Sequence, residues 1–389
     1  MQSRALVLAV SLVGVTLIAA CGATVPRPRP SPSPTFAPSP SPTSTPSVPG
    51  FLAASVTFVS SEDGWVLGTT PCGASSCLAI ARTQDGGGTW TSLNPPPTTF
   101  SAGTASTGVD GIRFANSLDG WVYRPDLWAT QDGGNTWTRI TLPGWSAPTF
   151  EDLETAAGVV HAVFLDTDQD VAVRIATSPV ASNSWQVSPT AVTLGAGPIP
   201  VPQLVVQGSA GWILEEDRVV VGGAHLVGSD WESWQPPCTQ VNGPAALAAS
   251  SSQDLIAVCD QGVWGPASPM GFRAWVSVNG GASFSLLPTA VPATIVSDIL
   301  GSLASPAPSV VAVANASDIL ATFDGGTTWT TVYIGPASQR IDYLGFTTTT
   351  QGVAIELESP ICSNSGCTSP AGRLLMTHDG GHEWASVPI

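Results

Sequence analysis

Two patterns of apolar and polar positions alternate along this chain. In the first, an apolar strand, a polar turn closed by Gly and a second apolar strand follow one another. It reads VTFVSSEDGWVLG (56–68), IRFANSLDGWVY (112–123), LVVQGSAGWIL (204–214) and YLGFTTTTQGVAI (343–355). Such runs predict β-hairpins. In the second, an eight-residue polar turn ends on an aromatic side chain: TQDGGGTW (83–90), TQDGGNTW (130–137), TFDGGTTW (322–329) and THDGGHEW (377–384), with a worn copy SVNGGASF (277–284). Trp185 after SNS and Trp234 after WES fall where two further copies belong. The seven aromatics Trp90, Trp137, Trp185, Trp234, Phe284, Trp329 and Trp384 are separated by 47, 48, 49, 50, 45 and 55 residues. So even a period means seven copies of one supersecondary unit.

The second pattern has a physical reason. An Asp carboxylate accepts backbone N–H groups within its own turn, and Gly supplies the positive φ that a tight hairpin requires. The aromatic then opens the next strand and packs inward. The pattern resembles the Asp-box, or BNR repeat, S/T-x-D-x-G-x-x-W/F, shared by sialidase-like propellers, the sortilin family and photosystem II assembly-factor propellers. On that resemblance Asp85, Trp90, Asp132, Trp137, Asn279, Phe284, Asp324, Trp329, Asp379 and Trp384 are structural, because the boxes of these families lie on outer turns away from the ligand site. The GW hairpin followed by DGG-x-TW is most similar to the photosystem II assembly-factor type, and next to sortilin-like propellers. The likeness covers roughly residues 51–389 and is strongest in blades 1, 2, 6 and 7.

The expected fold is all-β: a seven-bladed β-propeller of four-stranded antiparallel blades with Asp-box C–D turns. The expected blades are 51–97, 105–145, 151–192, 200–238, 245–290, 295–335 and 340–389. In such blades the A–B and C–D turns share one face and the B–C and D–A loops the other. The boxes make the first face repetitive. The second carries the variable loops, where ligand sites in propellers usually lie.

Composition narrows the chemistry. Of 389 residues, 43% are hydrophobic, 40 are Gly and 35 are Pro, which favours strands and turns over helices. The formal charge is −16, and all 12 basic residues are Arg. A chain without Lys cannot form a Schiff base or a P-loop. So acidic a surface argues against nucleic acid, whose phosphates need basic contacts.

Residues 1–20 read as an export signal, with Arg4 followed by an apolar run ending Ile18-Ala19-Ala20-Cys21. This resembles the bacterial lipobox, which implies lipidation of Cys21 and a membrane partner through the acyl chains. Residues 21–50 are dominated by Pro, Ser and Thr. They cannot form a core and read as a disordered polyproline-II-like stalk. The third segment, 51–389, is the propeller. The expected location is extracytoplasmic, on a bacterial cell membrane or surface.

Six further cysteines, an even number, are consistent with disulfides in an exported chain. Cys72 and Cys77 flank GASS, and Cys362 and Cys367 flank SNSG, each in an expected B–C loop. Cys238 and Cys259 map to neighbouring blades. All six fall on the variable face. Their role is to stabilise long loops; the spacing is looser than that of zinc sites. No cofactor is expected.

Trp145, Trp264, Arg124 and Arg340 map to the same face. A Trp there can stack on a sugar or anchor a protein, or it can cover a blade edge. The two Arg can pair with an anionic ligand or with surface carboxylates. Asp166, Asp168 and Asp170 form a D-x-D-x-D run able to offer oxygen ligands to calcium, but the Gly and distal Glu of a calcium loop are missing, and a solvated hairpin tip is the simpler reading. Glu215, Glu216 and Asp217 form a second acidic stretch in the expected blade 4 loop.

The enzyme alternative is a sialidase-like glycoside hydrolase, or a glycan-binding surface protein. The hydrolase needs an Arg cluster and a Tyr nucleophile beside a Glu. Only Tyr123, Tyr333 and Tyr343 are present, and no Arg-Ile-Pro precedes the first box. The resemblance implies instead a scaffold that binds other proteins, of unknown identity, and catalyses nothing.

Overall fold

A computed structural model describes residues 48–101, 106–146, 148–166, 172–189, 191–192, 201–216, 220–238, 245–260, 272–292, 300–358, 362–363, 366–367 and 372–389. Within them lie seven four-stranded antiparallel sheets set in a ring, with no helix. Blade 1 is β1 (Leu52–Phe58), β2 (Gly64–Cys72), β3 (Ser75–Thr83) and β4 (Thr91–Leu93). Blade 2 is β5 (Gly111–Phe114), β6 (Gly120–Tyr123), β7 (Leu127–Thr130) and β8 (Thr138–Arg139). Blade 3 is β9 (Thr149–Ala156), β10 (Val159–Asp166), β11 (Ala172–Pro179) and β12 (Gln186–Val187). Blade 4 is β13 (Val201–Gln207), β14 (Ala210–Glu216), β15 (Val220–Val227) and β16 (Asp230–Ser233). Blade 5 is β17 (Ala245–Ala249), β18 (Leu255–Asp260), β19 (Phe272–Ser277) and β20 (Ser285–Leu286). Blade 6 is β21 (Leu300–Ala307), β22 (Val310–Asn315), β23 (Asp318–Thr322) and β24 (Thr330–Ile334). Blade 7 is β25 (Gln339–Phe346), β26 (Gly352–Glu358), β29 (Gly372–Thr377) and β30 (Ala385–Val387), with a small hairpin β27 (Cys362–Ser363) and β28 (Gly366–Cys367) between its second and third main strands.

The eight-residue turns join third to fourth strands. In blade 1 the Thr83 hydroxyl donates to Asp85 Oδ1 at 2.8 Å and accepts the Gly87 N–H at 2.9 Å. Asp85 then accepts the Thr89 N–H at 2.8 Å and the Thr89 hydroxyl at 2.7 Å. Gly86 and Gly87 both have positive φ, 71° and 95°, which is why the Gly is doubled. The first Gly also donates to the A–B turn of its own blade: Gly86 to Glu62, Gly133 to Leu118, Gly280 to Gln253, Gly325 to Ser309 and Gly380 to Thr350. The two kinds of turn therefore share a face, as their spacing implies.

Blades 3 and 4 build this corner differently. The blade 4 turn is a two-residue hairpin in which Val227 pairs with Asp230, and its strand aromatic is Trp231, buried, with Trp234 lying beyond the strand. Blade 3 keeps the eight-residue length, Ser178 to a buried Trp185, but without DGG, and its Ser178 hydroxyl donates to the Pro179 and Ser182 carbonyls.

The cores lie between blades. Successive B-strand residues point to opposite seams, so Trp65 and Leu67 pack with blade 2 while Val66 packs with blade 7. The ring closes through that last seam. Blade 7 comes wholly from the C-terminal strands, and Val48, Val56 and Val66 cluster with Val353, Ile355, Leu374 and Ile389. Gln351 Nε2 donates to the Ser61 carbonyl at 3.0 Å across it. Closure rests on apolar packing plus this hydrogen bond, and among the described residues no strand is exchanged between the first and last blades.

Candidate functional site

The first strands of all seven blades surround a central cavity of about 450 Å³. These strands stand side by side without pairing, because each blade's hydrogen bonds run outward within its own sheet. Side chains bridge them instead. Ser55 Oγ accepts the Ile112 N–H at 3.1 Å, and Asp152 Oδ2 accepts the Leu204 N–H at 2.8 Å. The Gln203 amide donates to the Leu247 carbonyl at 3.1 Å and accepts its N–H at 2.9 Å. The Ser302 hydroxyl donates to the Leu344 carbonyl at 3.1 Å. The polar residues of the inner strands thus satisfy backbone groups that a radial arrangement would leave bare.

Charge gathers on the blade 2 and blade 3 side. Arg113 on β5 makes a short ion pair with Glu154 on β9, and its Nη1 lies 3.5 Å from the Tyr343 hydroxyl. Burial pushes the Glu154 carboxyl up to about 7, against the opposing pull of Arg113. Burial also raises Asp152, although two backbone N–H groups and the nearby guanidiniums pull the other way. Arg124, held at φ 72°, donates from Nε to Asp110 at 2.6 Å. Glu151 is raised by burial, partly offset by Arg124. Tyr123, also lining the cavity, is raised by burial and by Asp152. A carboxyl poised near neutrality is suited to proton transfer, but this one is held by a guanidinium.

The residues singled out from sequence take the following places. Arg124 lines the cavity. Arg340 sits at the start of β25, 2.9 Å from Asp342, and only Asp342 reaches the cavity wall. Trp145 is half-buried, 5.2 Å from Phe164 edge to face and under the Arg174 guanidinium at 5.3 Å. It lines, with Trp185, a second, shallower cavity of about 330 Å³ at the blade edge. Asp166 lies 3.6 Å from Arg174. Among the described residues no group of three or more acidic, His or Cys side chains could hold a metal. Trp264, Asp168, Asp170 and Cys21 lie outside the described residues.

Among the described residues two disulfides are present, Cys72–Cys77 across the tip of the β2–β3 hairpin and Cys238–Cys259 between blades 4 and 5. Cys362 and Cys367 are backbone partners in the β27–β28 hairpin. Glu215 departs from expectation. It belongs to strand β14 instead of a loop and is fully buried, with no partner for either carboxylate oxygen among the described residues. Burial raises its pKa to about 8.

Sequence reasoning missed Arg113, Glu151, Asp152, Glu154 and the cavity position of Tyr123 and Tyr343. The available signal was polar residues inside predicted A strands, in GIRF (111–114) and FEDLET (150–155). A Tyr–Glu pair does exist: Tyr333 donates to Glu356 at 3.0 Å, with Arg373 on the same carboxylate. It sits in the seam of blades 6 and 7, and neither residue lines the central cavity.

The sequence matches no protein-family model and no curated protein. Solved structures are similar in fold. YCF48 bound to D1 peptide superposes with a TM-score of 0.54 at 17% identity, over 85% of this chain and 94% of that one. YCF48 from Cyanidioschyzon merolae gives 0.57 at 14%, over 85% and 97%. The polysaccharide lyase Uly1 gives 0.55 at 12%, over 84% and 90%. At these identities the likeness is one of fold, shared by binding proteins and enzymes alike.

Proposed function

We propose that this chain is a membrane-anchored extracytoplasmic lipoprotein whose propeller binds another protein at the central cavity and catalyses nothing. The anchoring part rests on the Ile18-Ala19-Ala20-Cys21 signal and the Pro-rich segment after it. The binding part rests mainly on one observation. The two arginines that line the cavity are each engaged by a carboxylate of the chain itself, Arg113 by Glu154 and Arg124 by Asp110. A hydrolase of the sialidase type needs free guanidiniums there for the substrate carboxylate. The fold shared with a YCF48 that holds a peptide supports the same reading.

A photo-crosslinking residue tests it. Placed at Ala54, which lines the cavity, it is expected to capture a partner protein in membranes; placed at Gln84, on the box-bearing face, it is not. Equal capture from both positions, or none from Ala54, sinks the proposal.

The second reading is a glycan-cleaving or glycan-binding surface protein. It is favoured by the contiguity of Tyr343, Arg113 and Glu154 in the cavity and by the shared fold with a polysaccharide lyase. Turnover of a fluorogenic sialoside, abolished by Tyr343→Phe, would establish its hydrolase form.

A further inference from the structure

The cavity mouth carries more negative charge than it neutralises. Four carboxylates line it, Glu151, Asp152, Glu154 and Asp342, and a fifth, Asp110, lies behind the lining Arg124. Three guanidiniums answer them, and each takes one carboxylate: Arg113 takes Glu154, Arg124 takes Asp110 and Arg340 takes Asp342. Asp152 is occupied by two backbone N–H groups, those of Leu153 and Leu204, both at 2.8 Å. Glu151 is left with no hydrogen bond or ion pair among the described residues, although it lines the cavity.

A second observation is independent of charge. Tyr123 is 7% exposed, yet its hydroxyl has no hydrogen-bond partner among the described residues. Its ring packs over Gly111, where a Cβ would approach the ring to 2.6 Å, and its side chain lines the same cavity. The hydroxyl itself is not sealed from solvent and opens on the cavity. Tyr123 and Glu151 also share neighbours, since both feel Arg124 and Asp152. An unengaged carboxylate and an unengaged hydroxyl thus line the same cavity.

We propose that the cavity mouth beside blades 2 and 3 holds a cationic group of a partner polypeptide between the Glu151 carboxylate and the Tyr123 hydroxyl. This rests on the protein-binding reading above. The carboxylate supplies the counter-charge, the hydroxyl oxygen accepts one N–H, and the tyrosine ring offers a π-face. An Arg or Lys side chain and an N-terminal ammonium share this chemistry. An anionic group such as a C-terminal carboxylate would meet net repulsion in the same place.

Fluorescence polarisation with the full chain in detergent tests the proposal. The probe is a labelled Gly-Ser peptide, acetylated, with one central Arg; its controls carry citrulline in place of Arg, or a free N-terminus and no Arg. The Arg peptide is expected to bind about tenfold tighter than the citrulline peptide. Glu151→Gln should remove most of that preference, and Tyr123→Phe should weaken binding about threefold. Glu62→Gln, an exposed site on the box-bearing face, should change nothing. The free N-terminus peptide tells which source of cation is preferred. Equal affinity for Arg and citrulline peptides overturns the proposal. So does an equal loss in Glu62→Gln, which would mean attraction to the acidic surface as a whole. Because Glu151→Gln breaks no contact, unchanged binding in that variant also counts against it. If a partner still crosslinks to position 54 while the Arg peptide fails, this proposal falls and the protein-binding reading stands.

Discussion

The indole of Trp65 donates from Nε1 to the carbonyl of Gly133, 3.1 Å away in the eight-residue turn of the next blade. Trp212 does the same to Gly280, at 3.0 Å. The two motifs of the repeat, GW and DGG, are thus halves of one interlock across a seam. Trp121 holds the same place in blade 2 but faces blade 3, whose turn lacks DGG, and its buried Nε1 has no partner among the described residues. Trp65→Phe should therefore cost more stability than Trp121→Phe, by about 1–2 kcal/mol, since it strands a carbonyl as well as losing volume. Urea unfolding of the two variants measures the difference. Equal losses would mean that the interlock contributes nothing.

The turn carboxylate works as an acceptor more than as a charge. Asp132 Oδ1 accepts the N–H groups of Asn135 and Thr136 at 3.0 and 2.9 Å. Asn279 fills the corresponding place in blade 5 and accepts the Ser283 N–H at 3.0 Å through its amide oxygen. Asp132→Asn should therefore be nearly neutral at pH 7, whereas Asp132→Ala should cost about 1–3 kcal/mol. Hydrogen bonds from Thr136 and Thr130 hold the Asp132 carboxyl below its ordinary value, although burial opposes them. A depressed carboxyl stabilises the fold above its unfolded pKa and stops doing so as pH falls through the folded one. Wild type, level with Asp132→Asn at pH 7, should thus fall behind it as pH drops below about 4. Thermal melts from pH 3 to 7 report it.

Glu215 has the opposite sign. Its carboxyl is raised to about 8, burial being the cause. At low pH both folded and unfolded states hold the proton and nothing is lost. As pH rises past the unfolded value the unfolded state ionises first, so stability declines until the folded pKa is reached. Glu215→Gln should match wild type near pH 4 and exceed it at pH 9, by about 2 kcal/mol. A wild-type stability that does not decline between those limits relative to Glu215→Gln would mean that the carboxylate is satisfied.

Blade count and register were legible because the repeat is local: a hairpin and a turn announce themselves through Gly, Asp and Trp at fixed offsets. The same locality misled at Trp234, where an aromatic at the right spacing follows a plain two-residue hairpin and Trp231 fills the strand. The site was less legible. Arg124 was visible as a charge after a B strand, but Arg113 and Glu154 are 41 residues apart and meet only because neighbouring inner strands face one cavity. An inner strand has no second sheet to bury it, so its polar residues carry no contradiction that pattern alone would reveal. Which of them meet depends on strand stagger around the ring, and spacing does not encode stagger.

Arg113 and Glu154 give the last prediction. The pair is mostly buried, with side-chain exposures of 16% and 25%. Removing one partner leaves the other charge without its counter-ion, which costs more than removing both. Arg113→Met should destabilise by about 3 kcal/mol at pH 8, and Arg113→Met with Glu154→Gln by less. Glu154 is already raised to about 7 with Arg113 present, burial being the leading cause, and loss of the guanidinium pushes it higher. A raised carboxyl penalises the fold only as pH climbs above its unfolded value, so the single variant should recover toward wild type at pH 5, where Glu154 takes up its proton. The double variant cannot take up that proton and should show a flatter profile. Calorimetric melts of wild type, both single variants and the double, at pH 5 and pH 8, close the cycle. A coupling between the two sites that is small and the same at both pH values would show that the pair is held by solvent and not by each other.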